Sequence, residues 1–177
     1  MLISHIHAAT SAGFDMVLPS GAGGAILRKL LTAPGARQLD LETLNLLRIE
    51  AGIPVWGAEL TESVIPLEAN LSSAINQSKG CYLGQEVIAR IISRGHTNRS
   101  LTGLCLSAMV EPGAVFVGAS GPRRNQDPAK TTSVADSPEA GPIALGYVRN
   151  EYSSLGTVLQ SEDGNITATV TALPFVA

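Results

Sequence analysis

Apolar positions along the 177-residue chain follow two different periods. In three stretches before Ser100 they recur every three to four residues; beyond it they recur every two. Residues 14–18, Phe-Asp-Met-Val-Leu, read as a short strand closed by Pro19. Ala22 to Thr32 reads as a helix with Ser20 as N-cap, Ile26, Leu27, Leu30 and Leu31 on one face, and Pro34-Gly35 as its stop. Asp40 caps a second helix carrying Leu41, Leu44, Leu47 and Ala51, with Glu42 in the first turn where its charge suits the helix dipole. Gly52 is its expected C′ residue, and Pro54 follows. Residues 53–80 carry no period. A third helix is predicted from Leu83 to Ser93, with Val87, Ile88, Ile91 and Ile92 as its apolar stripe. Glu86 and Arg90 form an i,i+4 pair on it, and Gly95 ends it.

From Leu101 to Ala108 the rhythm becomes strand-like, with both faces apolar or small. Further strands are predicted at 114–117, 143–149, 156–160 and 165–172, so the second half reads as a small all-β barrel or sandwich. Residues 118–142 hold Pro122, Pro128, Pro138 and Pro142 among Gly, Ser, Asp and Lys, which predicts a long mobile loop.

Composition narrows the function. Twelve basic against 15 acidic residues leave a net charge of −3, which argues against nucleic acid as the main partner, because phosphate neutralisation needs clustered Lys and Arg. No apolar run approaches the ~20 residues that span a bilayer. The N-terminus lacks the basic start of a signal peptide, so the chain reads as cytoplasmic, without a membrane partner. Cys81 and Cys105 are then expected as free thiols. The Gly21-Ala-Gly-Gly24 cluster lacks the Lys-Ser/Thr of a phosphate loop. His5 and His7 share a strand face with no third ligand near, so no metal site is expected.

The chemistry concentrates in Lys79-Gly-Cys-Tyr-Leu-Gly-Gln-Glu86. Cys81 stands just before the third helix, where free N–H groups and the positive dipole end favour a thiolate, and Lys79 adds a cation. Gly80 and Gly84 let the backbone fold around the sulfur. Burial as a small hydrophobe is the competing reading of Cys81. Glu50 falls in the last turn of the second helix, the unfavoured end for a carboxylate.

Arg48-Ile-Glu-Ala-Gly-Ile-Pro54, Pro66-Leu-Glu-Ala69 and Lys79-Gly-Cys-Tyr-Leu-Gly-Gln-Glu86, in this order, resemble the YgfZ-type folate-binding proteins. These belong with the T-protein of the glycine cleavage system, the aminomethyltransferase. Leu145-Gly-Tyr-Val148, Glu151-Tyr-Ser153 and Leu173-Pro-Phe-Val176 resemble the T-protein C-terminal β-domain. The resemblance implies an α+β chain: the C-terminal part of a folate-binding α/β domain over residues 1–97, then a small antiparallel β-barrel domain over 98–177. Members run about twice this length, so the chain is expected to lack the N-terminal half, with apolar faces left uncovered.

The resemblance also implies a task. It gives a tetrahydrofolate-binding accessory protein that serves iron–sulfur proteins or their assembly through Cys81; aminomethyl or one-carbon transfer of the T-protein type is the alternative. It places Glu50 on the pterin, whose exocyclic amine and ring N–H one carboxylate can accept together. It places Arg99 near the glutamate tail of the folate. Lys79, Gly80, Cys81, Tyr82, Gly84, Gln85 and Glu86 carry the signature.

Overall fold

The two-residue rhythm after Ser100 has both faces apolar because each face meets a different core. The computed structural model describes residues 2–6, 13–118 and 128–176. Ahead of the barrel lie β1 (Leu2–Ile6), β2 (Gly13–Val17), α1 (Gly23–Leu31), α2 (Leu41–Glu50) and α3 (Gln85–Arg94). Six strands follow: β3 (Arg99–Leu106), β4 (Val115–Gly118), β5 (Ala129–Ser137), β6 (Gly141–Arg149), β7 (Val158–Ser161) and β8 (Thr167–Thr171). They close into an antiparallel barrel in the order β3-β6-β5-β4-β7-β8, with β8 pairing back onto β3. β1 and β2 form a separate antiparallel pair.

Leu104 and Leu106 of β3, Ala144 and Val148 of β6, and Phe116, Leu159 and Val170 fill the barrel interior. The alternate residues, Leu101 on β3 and Ile143, Leu145 and Tyr147 on β6, point outward and pack against Ile49 of α2. Ile49 is fully buried. Burying a side chain of that size stabilises by about 1.5–3 kcal/mol, so α2 is fastened to the barrel wall by its last turn. Two glycines make this packing close. A Cβ on Gly146 would lie 2.8 Å from the Lys130 carbonyl oxygen on the neighbouring strand, and one on Gly52 would lie 2.8 Å from Leu173 Cβ.

The α2 termini follow the sequence. Asp40 accepts the Thr43 N–H at 2.7 Å. At the other end Gly52 has φ +72°. The Gly52 N–H reaches the Ile49 carbonyl at 2.9 Å and the Ile53 N–H the Arg48 carbonyl at 2.8 Å, the two bonds of a Schellman motif. The Glu50 carbonyl, otherwise orphaned, accepts from the Phe175 N–H at 2.8 Å.

Four expectations need correction. The long loop at 118–142 is largely strand: β5 and β6 are joined by a tight turn at 138–140, and residues 119–127 lie outside the described residues. β5 escaped detection because Ala-Lys-Thr-Thr-Ser-Val-Ala-Asp-Ser has little apolar alternation. Its buried Thr131, Ser133 and Ser137 are accommodated by hydrogen bonds instead. Helix α1 has Ala22, not Ser20, at its N-cap, without a side-chain bond. Helix α3 begins at Gln85, because Gly84, at φ +85°, turns the chain into it. The Glu86–Arg90 pair does not form; the ion pairs among the described residues are Arg48–Glu59 and Arg99–Glu68. In the N-terminal elements, Val17 of β2 and Leu27, Leu30 and Leu31 of α1 are exposed, and α1 buries no residue. His7 lies outside the described residues.

Candidate functional site

The irregular stretch between α2 and α3 supplies the buried acids. Glu59 is fully buried, and its carboxylate has four donors. Oε2 accepts from Arg48 Nη1 at 3.0 Å and the Val55 N–H at 3.1 Å. Oε1 accepts from the hydroxyls of Thr132 at 2.8 Å and Ser133 at 2.6 Å. Its backbone carbonyl accepts from the Tyr147 hydroxyl at 3.0 Å. A buried carboxylate needs this degree of compensation.

Glu68 is placed by backbone bonds to the barrel. Its carbonyl accepts the Leu101 N–H at 2.7 Å, and Asn70 Nδ2 donates to the Leu101 carbonyl at 2.8 Å. Glu68 Oε2 then accepts from Arg99 Nε at 3.2 Å and Nη2 at 3.1 Å. The guanidinium thus held lies 4.8 Å from the centre of the Tyr147 ring. Arg99 Nη1 has no partner among the described residues. Burial pushes the Tyr147 phenol up to about 12, with Arg99 opposing the rise.

These groups border a polar cavity of about 410 Å³ lined by Glu59, Ser63, Arg99, Lys130, Thr132 and Tyr147, among others. The exposed Lys130 has no ion pair among the described residues. Lys130 and the open Nη1 of the Glu68-paired Arg99 therefore present charge-assisted donors beside hydroxyls, an arrangement suited to a carboxylate or another oxyanion.

A second cavity, of about 360 Å³, adjoins it; Val64 lines both. It is mostly apolar, with Ile65, Ile75, Leu83 and Ile88 in its wall beside Asn76, Lys79 and Tyr82. Its loop is ordered by Asn76, whose Oδ1 accepts from Ser78 N–H and Oγ, each at 2.9 Å, and from Lys79 N–H at 3.1 Å. That turn carries Lys79 Nζ to 4.7 Å from the centre of the Tyr82 ring.

The structure separates the residues singled out in the sequence. Arg99 lines the polar cavity; Lys79, Tyr82 and Gly84 line the apolar one; Glu50 and Cys81 line neither. Cys81 is exposed and free. It stands four positions ahead of α3 and three ahead of the Gly84 N-cap, and the Lys79 cation faces Tyr82. Gly80 and Gln85 flank this loop, and Gln85 makes no side-chain cap on α3. Glu50 accepts from Ser137 Oγ at 2.6 Å through Oε1, while Oε2 has no partner among the described residues. Cys105 is partly buried against the cluster around Ile49.

Glu59, Lys130 and Tyr147, which line the polar cavity, and Glu68, which holds Arg99, are residues that sequence reasoning did not single out for it. The signal for the acids was present: carboxylates in a stretch without helical or strand period, one of them inside Pro66-Leu-Glu68-Ala69.

A short α+β region buttressing a closed six-stranded antiparallel barrel is the fold of the C-terminal part of the aminomethyltransferases. The glycine cleavage system aminomethyltransferase T from Bartonella henselae superposes with a TM-score of 0.79 at 28% identity, over 93% of this chain and 46% of that one. The aminomethyltransferase of Saccharopolyspora erythraea is 33% identical over 92% of this chain and 46% of its own length. A chloroplastic protein of Arabidopsis thaliana, provisionally assigned as a transferase, is 35% identical over 93% of this chain and 37% of its own. No family model matches the chain. The chain is thus homologous to the aminomethyltransferase superfamily and spans less than half the length of these curated relatives. No helix among the described residues is long and apolar enough to cross a membrane. Similar proteins include chloroplastic and mitochondrial ones, so the likeness gives no support to the cytoplasmic expectation.

Proposed function

We propose that the protein binds a tetrahydrofolate derivative as part of a one-carbon or aminomethyl transfer protein of the T-protein type. The observation that carries this reading is the cavity that holds Lys130, without an ion pair among the described residues, beside the open Nη1 donor of an Arg99 already paired with Glu68. A folate ends in glutamate carboxylates, and charge-assisted contacts to them are stronger than neutral ones. The Tyr147 ring supports Arg99 from below, and the Glu68 carboxylate fixes its direction. When bound, a tetrahydrofolate would supply its N5 and N10 amines as acceptors of a one-carbon unit.

The flat pterin head has two chemically suitable hosts. Glu50 keeps Oε2 open for a pterin N–H, as the family resemblance implies. The apolar cavity offers the Tyr82 face. Calorimetric titration with folinic acid tests the reading. Lys130→Ala, which breaks no ion pair among the described residues, is expected to weaken binding about tenfold, a loss of about 1.4 kcal/mol. Wild-type affinity in that variant would remove the polar cavity from the site. In the same titration, Glu50→Ala and Tyr82→Ala locate the head: the variant that loses affinity marks its host.

A second reading rests on Cys81. Its exposed thiol lies between Lys79 and Tyr82, two residues that line a cavity, which supports service to iron–sulfur proteins through that sulfur. Cells carrying Cys81→Ser in place of the wild type would then lose iron–sulfur enzyme activity while folinic acid affinity is kept. Unchanged enzyme activity would discard this reading.

A further inference from the structure

In a regular strand, adjacent side chains point to opposite faces. Thr132 and Ser133 break this rule: both hydroxyls donate to the same atom, Glu59 Oε1. The cause is visible in the ladder. Thr131 pairs with Gly146 and Ser133 with Leu145, so Thr132 is an extra residue, a β-bulge in β5. Bulges cost regular pairing and turn side chains to new directions. Glu59 is the group that accepts both redirected hydroxyls of this one.

We propose that Glu59 is the positioning residue of the polar cavity, acting on both cations. Its carboxylate holds the bulge that sets the direction of Lys130, two residues before Thr132. Its backbone carbonyl anchors the hydroxyl of Tyr147, the ring on which Arg99 rests. Lys130 and Tyr147 are themselves register partners across β5 and β6, so the two effects meet at one pair. Arg48 completes the device: Nη1 bonds Glu59 Oε2, and Nη2 donates to Ser133 Oγ at 2.7 Å. This inference rests on the reading of the cavity as a ligand site.

The test separates positioning from simple stabilisation. Replacing a buried ion pair by apolar groups of similar volume is often neutral for stability, whereas removing one partner alone is strongly destabilising. The double variant Arg48→Met/Glu59→Met is therefore expected to melt cooperatively. It is also expected to shift the Lys130 and Thr131 amide resonances and to bind folinic acid roughly tenfold more weakly. Thr132→Val, which deletes one bulge hydroxyl and leaves the ion pair intact, is expected to move the same resonances if the double variant fails to fold. A folded variant of either kind with wild-type Lys130 and Thr131 resonances overturns the proposal. So does one whose resonances shift while its affinity matches a wild type that binds. If the wild type itself binds no folinic acid, the reading of the cavity fails. The resonance shift then still supports the hold of Glu59 on the bulge.

Discussion

The Arg99 guanidinium lies 4.8 Å from the centre of the Tyr147 ring, and the same side chain is forked onto Glu68. Both contacts use the planar shape of the group. Lys keeps the charge but has neither the fork nor the stacking face. Arg99→Lys is therefore expected to lose about tenfold in folinic acid affinity with a cooperative melt retained. Equal affinity in a calorimetric titration would show that charge alone matters at this position.

The raised Tyr147 phenol fixes a pH dependence. An unfolded tyrosine ionises near pH 10, whereas the folded Tyr147 holds its proton to about 12 because burial disfavours the anion. Between these values the unfolded chain has lost a proton that the folded chain keeps. Stability therefore falls as pH rises from about 10 to about 12. Tyr147→Phe is expected to flatten that part of the stability curve, read by denaturant titration at several alkaline pH values. An equal slope in both proteins would contradict the assignment.

Gly146 has no room for a side chain, because a Cβ would meet the Lys130 carbonyl oxygen at 2.8 Å, a backbone atom that cannot swing aside. Gly146→Ala is expected to destabilise the barrel by about 1–3 kcal/mol, the usual cost of overpacking. A thermal melt within a degree of wild type would mean that β5 and β6 can separate freely at this point.

The two thiols should differ in reach. Cys81 is exposed, while Cys105 packs in part against the cluster around Ile49. A small thiol reagent is expected to label Cys81 at once and Cys105 only slowly, with both equal in denaturant. Equal rates in the native protein would count against this placement of the loop before α3.

Much of the fold was legible because local chemistry wrote it. Asp40 and Gly52 bracket α2 through bonds that reach only three to five residues. The strands with apolar alternation, β3, β6 and β8, stood out for the same reason. β5 did not, since its buried residues include Thr131, Ser133 and Ser137, and the carboxylates that Ser133 and Ser137 meet, Glu59 and Glu50, lie far off in sequence. The site suffered most. Arg99 was singled out through family likeness, but its tie to Glu68, which crosses 31 positions, left no local signal. The start of α3 after Cys81 was placed too early, because a left-handed Gly84 begins the helix later than the hydrophobic period indicates.

Each barrel strand has a neighbour on both sides, so the ring has no seam along which another polypeptide could add itself. It also has no terminal member to fray first. Deleting any one strand would create two raw margins at once, which makes the barrel indivisible. Shortening it by a strand abolishes it, whereas the β1–β2 pair can be cut away without opening the ring.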